Sequence, residues 1–170
     1  MSNIPSISEL YDLDHTIAKA LFLRHTYPWE VLKELKAFIL ALGETLPTDE
    51  YDHPEEGVWI AKDAKVFPSA YIGAPCIIDH GAEIRHCAFI RGSAIIGKNS
   101  VFGNSCEIKN SIIFDDAQTP HYNYVGDSVL GWHAHMGAGS ITSNVKSDRT
   151  NIVIRCGKET AETGAYKIGA

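Results

Sequence analysis

Between Ile60 and Ile108 a large apolar residue stands at every sixth position: Ile60, Val66, Ile72, Ile78, Ile84, Ile90, Ile96, Phe102 and Ile108. A second comb, offset by four, is small almost throughout: Ala64, Ala70, Cys76, Ala82, Ala88, Ala94, Ser100, Cys106 and then Ile112. A helix needs apolar residues about every 3.6 positions, and a spacing of six does not supply that. Six is even, so it suits short strands whose side chains alternate sides. A flat sheet has no reason to reset every six residues. A coil of three short strands with a corner after each does, and short-period repeats of this kind mark solenoids. The aliphatic residue then fills a triangular interior, and the small one sits beside it near the corner. Gly73, Gly97, Gly103, Asn104 and Asn110 follow the aliphatic positions. Corners are expected there, because these residues tolerate positive φ. Three hexads make one coil, so residues 18 apart should stack roughly 4.8 Å from one another. The expected fold class is all-β.

Composition narrows the function. The chain has 170 residues, 45% of them hydrophobic, and a net charge of −6. A negative surface argues against nucleic-acid binding. No apolar run is long enough to span a membrane, so no membrane partner is expected. The start, MSNIPSISEL, lacks the basic and apolar regions of a signal peptide. The four cysteines form no CxxC, and Cys76 and Cys106 occupy the small inward position. Buried thiols and a cytoplasmic location are expected.

Residues 1–57 stand outside the repeat. Leu10, Leu13, Ile17, Leu21 and Phe22 lie at helical spacing, and Val31, Leu32, Leu35, Phe38, Ile39 and Leu42 form an apolar stripe. Pro28 fits a helix start and Gly43 the position just past a helix end. A helical hairpin is expected, joined near His25 to Tyr27. It either packs on the open end of the coils or a neighbouring subunit, or binds a partner. Residues 44–57, rich in Asp and Glu with Pro47 and Pro54, read as a solvated acidic linker. The coils are expected over 58–170. Phe114 is the last residue in phase, and 115–123 break the count, which predicts a loop leaving the coils. The rhythm resumes at Val125, Leu130 and Met136. It fails again after Asn144, Ile152 to Ile154 look like a strand, and Ile168-Gly169-Ala170 opens a new hexad. The coil domain is expected to continue past Ala170.

Arg91 and Lys109 each follow an inward aliphatic and lie 18 apart, one above the other. Stacked cations repel unless an anion such as phosphate sits by them. Otherwise they point into solvent or pair with Glu107 or an Asp. His121, in the expected loop beside Tyr122 and Tyr124, is either a surface histidine or a proton acceptor. His133 and His135 point the same way on a strand. His80 and His86, six apart, cannot share a metal within one subunit. No close set of three histidines occurs, so no metal ligands are assigned.

Four segments carry a family resemblance: AFIRG (88–92), FGNSCEIKNS (102–111), HYNYVGDSVLG (121–131) and MGAGSITSN (136–144). With the hexads, they resemble the hexapeptide-repeat proteins. More specifically, they resemble the acetyltransferase domain of the bifunctional bacterial enzyme that makes UDP-N-acetylglucosamine. The archaeal-type sugar-1-phosphate nucleotidylyl/acetyltransferases are similar too. The resemblance implies a left-handed parallel β-helix, a hand opposite to the usual crossover rule. It implies a homotrimer, acetyl-CoA as co-substrate and an amino-sugar 1-phosphate as acceptor. It makes His121 the general base with Glu107 beside it. Arg91, Lys109 and Tyr124 would hold the sugar phosphate, and Ala138 and Asn144 would contact acetyl-CoA. His135 stands where the bacterial enzyme has an asparagine in the sugar site. No glycine-rich nucleotide loop precedes residue 60. The expected activity is acetyl transfer to an amino-sugar 1-phosphate. The alternatives are a non-catalytic assembly or sugar-nucleotide-sensing domain, and a metal enzyme of the γ-carbonic anhydrase type.

Overall fold

The computed structural model describes residues 4–170. Three parallel ladders form the sides of a prism. Face one holds Val58–Ala61, Cys76–Ile78, Ala94–Ile96, Ser111–Ile113 and Val129–Leu130. Face two holds Lys65–Val66, Glu83–Ile84, Val101–Asn104 and Gln118–His121. Face three holds Tyr71–Ile72, Phe89–Ile90, Glu107–Lys109 and Tyr124–Gly126. This is the expected left-handed β-helix. In its first coils the partners are 18 apart, as in Lys65↔Glu83, Tyr71↔Phe89 and Cys76↔Ala94. Ile78, Ile84, Ile90, Ile96, Phe102 and Ile108 are wholly buried in the interior with Ala82, Ala88 and Ala94. Each such side chain contributes about 1.5–3 kcal/mol of transfer free energy. The shared aliphatic comb is thus what holds successive coils in register.

Of the five positions expected at corners only Asn110 has positive φ; Gly73, Gly97, Gly103 and Asn104 do not. Positive φ falls at Gly81, Cys87, Ser93, Asn99, Ser105, Asn110, Asp116, Tyr122, Asp127 and His133. Each immediately precedes the small residue of its hexad. The small residue is small because the chain has just turned through the left-handed region and brings the next Cβ hard against the interior. Gly103 follows an aliphatic for another reason: a Cβ there would collide with the Pro120 carbonyl one coil above.

The same corners overturn the expected loop at 115–123. From Ser105 to Asn110 and from Tyr122 to Asp127 the corner spacing is five, not six. Pairing drops with it to 17 residues: Ile96↔Ile113, Phe102↔Thr119, Asn104↔His121, Ile108↔Val125 and Ile113↔Leu130. No loop leaves the coils there. Gln118–His121 is a strand of face two, Thr119 takes the inward aliphatic place, and Ile113, not Phe114, points inside. A single missing residue per coil put the six-residue count out of phase. The excursion that does leave the coils comes after Val145. A hairpin of Val153–Cys156 and Glu159–Glu162 projects from the corner between faces three and one. The chain then returns, and Gly169 N–H donates to Asp127 O (2.8 Å) while Ala170 O accepts from Val129 N–H (2.7 Å). Residues 168–170 therefore lie on the next rung of face one.

The N-terminal segment packs on the flat outside of face one, not on an open end. The outward residues Trp59, Ile77, Ile95, Ile112 and Val129 form one buried cluster with Leu21, Phe22, Val31, Leu35 and Ile39. Its first half is broken rather than one helix: Ile7–Leu10, a 3₁₀ turn at Leu13–His15, then Lys19–Phe22. Asp12 accepts from Asp14 N–H (3.0 Å) and Thr16 Oγ1 from Ala18 N–H (3.2 Å), local bonds that compete with a helix. The second half is helical as expected, Pro28–Val31 then Leu35–Gly43. Gly43 is inside the helix end; a Cβ there would strike the Trp59 indole. The acidic stretch is not wholly a linker either, because Tyr51–Glu55 is a strand antiparallel to Val58–Ala61. All four cysteines are free thiols, and burial pushes Cys76 up to about 12. Among the described residues no helix is long and apolar enough to cross a membrane.

Candidate functional site

Face three collects most of the residues singled out from the sequence. The ladder sets Phe89, Glu107 and Tyr124 side by side on successive rungs. Arg91 and Lys109 follow on the next column, stacked as their spacing required. Each cation, however, already has a carboxylate. Arg91 Nη1 donates to Glu107 Oε1 at 2.8 Å, and that bond holds the guanidinium further toward its charged form. Lys109 Nζ lies 3.1 Å from Asp127 Oδ2. Two cations and two anions cancel, so the stacking by itself does not call for a bound phosphate. The alternative in which these cations pair with Glu107 and an Asp is the arrangement present.

Asp127 is the hub of this patch, and sequence reasoning passed it over. Its side chain is nearly buried and accepts from Lys109 Nζ, from Asn110 Nδ2 (2.9 Å) and from Asn144 Nδ2 (2.6 Å). Asn144 Nδ2 also lies 3.3 Å from the Tyr124 hydroxyl. One signal was available: Asp is among the few residues that tolerate the left-handed region, where Asp127 has φ 50°.

His121 ends the face-two strand at the corner leading to face three, and it is exposed. Its imidazole has no hydrogen-bond partner among the described residues. Glu107 faces Arg91 rather than this ring. The backbone around it is tightly held. Asn123, which is buried, accepts from His121 N–H (3.1 Å) and donates to Gly137 O (2.8 Å) and Ser140 O (3.1 Å). Gly139 N–H donates to His121 O at 3.1 Å. The Ala138 turn therefore sits directly over the His121 corner. Asn123 was legible in hindsight as an amide standing where the other hexads have Ala, Ser or Cys. A buried amide must be hydrogen-bonded. His135 is apart from the Arg91–Lys109 column: it pairs with Gln118 on face two, and its side chain is exposed. Among the described residues no three His, Cys, Asp or Glu side chains lie close enough to hold a metal.

The patch can thus offer a free imidazole at a corner, a rigid glycine-flanked turn above it, and a polar strip of Glu107, Tyr124, Lys109 and Asn144 alongside. Residues 72–152 match the family described as the GMPPB C-terminal domain. The bifunctional protein GlmU of Methanococcus maripaludis is 39% identical over 83 residues, covering 49% of this chain and 20% of that protein. The bifunctional sugar-1-phosphate nucleotidylyltransferase/acetyltransferase of Sulfurisphaera tokodaii is 30% identical over 146 residues, covering 84% of this chain and 36% of that protein. The acetyltransferase domain of PglB from Neisseria gonorrhoeae, solved with acetyl coenzyme A, is 22% identical with a TM-score of 0.49 over 50% of this chain and 42% of that one. The chain spans a fifth to about a third of the length of these curated relatives. The family match begins at Ile72 on face three and takes in the coils that follow it.

Proposed function

We propose that this chain moves an acetyl group from acetyl-CoA to the amine of an amino-sugar 1-phosphate, of the kind that leads to UDP-N-acetylglucosamine. The observation that carries the reading is the exposed His121 ring, without a hydrogen-bond partner among the described residues, under the Ala138 turn and next to the Glu107–Tyr124–Asn144 strip. The amine nitrogen attacks the thioester carbonyl, and His121 takes the N–H proton as the C–N bond forms. The C–S bond then breaks, and the proton returns to the leaving thiolate. Glu107 orients the amine. Arg91, Lys109 and Tyr124 receive the sugar phosphate, with His135 toward the sugar. Ala138 and Asn144 border acetyl-CoA. A homotrimer fits the same surface. Face one is covered by helices, while face three exposes Tyr71, Phe89 and Ile141, so a second copy set against face three would share the site.

The test is release of coenzyme A thiol with glucosamine 1-phosphate and acetyl-CoA as substrates. Turnover that depends on both supports the reading, and thiol release unchanged by the sugar phosphate counts against it. A second reading is favoured by the cancelled charges of Arg91 and Lys109: a non-catalytic assembly or sugar-nucleotide-sensing domain. Calorimetric binding of UDP-N-acetylglucosamine with no thiol release would select it.

A further inference from the structure

One of the two carboxylates that cancel charge on face three, Asp127, stands at a corner that Ser and Asn occupy on the preceding coils. At successive corners between faces three and one stand Ser93, Asn110 and Asp127, with φ of 51°, 46° and 50°. Backbone and position are the same at all three, so Ser and Asn are both at home in this turn. Only the third carries a charge. Both its oxygens are engaged: Oδ1 accepts from Asn110, and Oδ2 from both Lys109 and Asn144. Oδ2 therefore joins a residue assigned to the acceptor's phosphate, Lys109, to one assigned to acetyl-CoA, Asn144. The Lys109 and Asp127 side chains keep only 21% and 5% of their exposure, so solvent screens this pair little.

We infer that Asp127 is a positioning residue that ties the acceptor half of the site to the donor half and holds back the positive charge of Lys109. This rests on the reading above for the identity of the two halves, but not for the charge. A ligand phosphate approaching Lys109 competes with the Asp127 carboxylate. The site is thereby set for weak anion binding with the lysine and the Asn144 amide held at fixed positions. The cost in affinity is exchanged for geometry: Asn144, and through it the Tyr124 hydroxyl, stay in place whether or not a ligand is present.

The inference makes an unusual demand. Asp127→Asn should bind inorganic phosphate and glucosamine 1-phosphate more tightly than the wild type, by about three- to tenfold, the scale of one partly buried charge pair. A residue that merely supported the fold would weaken or spare binding on removal. Titration calorimetry reads this without any turnover. Asp127→Ser, which matches Ser93 two coils earlier at the same corner, should show the same gain. Adding Lys109→Gln to Asp127→Asn should abolish it. In the acetyl-transfer assay Asp127→Asn should lower the acceptor KM and also lower kcat, since Lys109 and Asn144 are no longer joined. Phosphate affinity that is unchanged or weaker in both folded variants overturns the inference, as does a wild type and variant that both fail to bind phosphate. Absence of acetyl transfer in the wild type, with the phosphate gain intact, instead removes the acetyltransferase reading and leaves the charge-restraining role standing.

Discussion

At the scale of single residues, the site is a set of side chains whose neighbours are already chosen. His121 and His135 are the exceptions, both exposed and without a side-chain hydrogen-bond partner among the described residues. An amine attacks a thioester only in its neutral form, so a base must take a proton as the bond forms. Imidazole suits this, its ordinary pKa of about 6.5 being close to working pH. His121→Ala should lower acetyl transfer by roughly 10²- to 10⁴-fold in a thiol-release assay while leaving phosphate titration unchanged. Full turnover in that variant would return His121 to the surface histidine it also resembles. Arg91→Ala should behave differently. It removes a cation from the acceptor end, so the acceptor KM should rise with a smaller change at saturation; a loss confined to kcat would place Arg91 elsewhere in the reaction.

At the scale of elements, the five-residue corners decide which residues face inward. Thr119 is the clearest case. It is wholly buried in the place of an aliphatic residue, and its hydroxyl makes only a 3.5 Å contact with Val101 O. Val is nearly the same size and removes a poorly satisfied hydroxyl. Thr119→Val should therefore leave stability unchanged or raise it by up to about 1 kcal/mol in urea unfolding. A loss above about 2 kcal/mol would mean that the Thr119 hydroxyl is needed and that this rung is not the simple aliphatic layer described.

At the scale of the whole molecule, the N-terminal segment determines which surface is left for association. Face two carries charged and polar residues such as Lys65, Glu83, Arg85 and Gln118, with an Arg85–Glu83 ion pair at 2.6 Å. Face three carries Tyr71 and Phe89, whose rings meet at 5.5 Å and are 61% and 42% exposed. Light scattering should give three chains per particle, and Phe89→Glu should shift the protein toward monomer without lowering the monomer's own stability. A wild-type monomer at micromolar concentration, or a Phe89→Glu trimer, would remove face three as the interface.

The repeat by itself determined the coil. An aliphatic every six residues can be buried in no other common way, and the inward comb from Ile60 to Ile108 stands where the count placed it. The outward Ile77 and Ile95 were not singled out from the sequence, and Ile112 was counted in the small comb; all three are buried under the N-terminal helices. Only the tertiary structure decided the rest. Losing one residue at a corner costs a coil nothing, since its strands still pair, yet it shifts every later position by one in the count. That is why Gln118–His121 read as a loop and proved to be a strand. For Arg91 and Lys109 the sequence offered pairing with Glu107 or an Asp as one alternative, but not which Asp, nor that both pairs form. Glu107 and Asp127 lie 16 and 18 residues from them, and only the stacked corners bring each carboxylate within hydrogen-bonding distance.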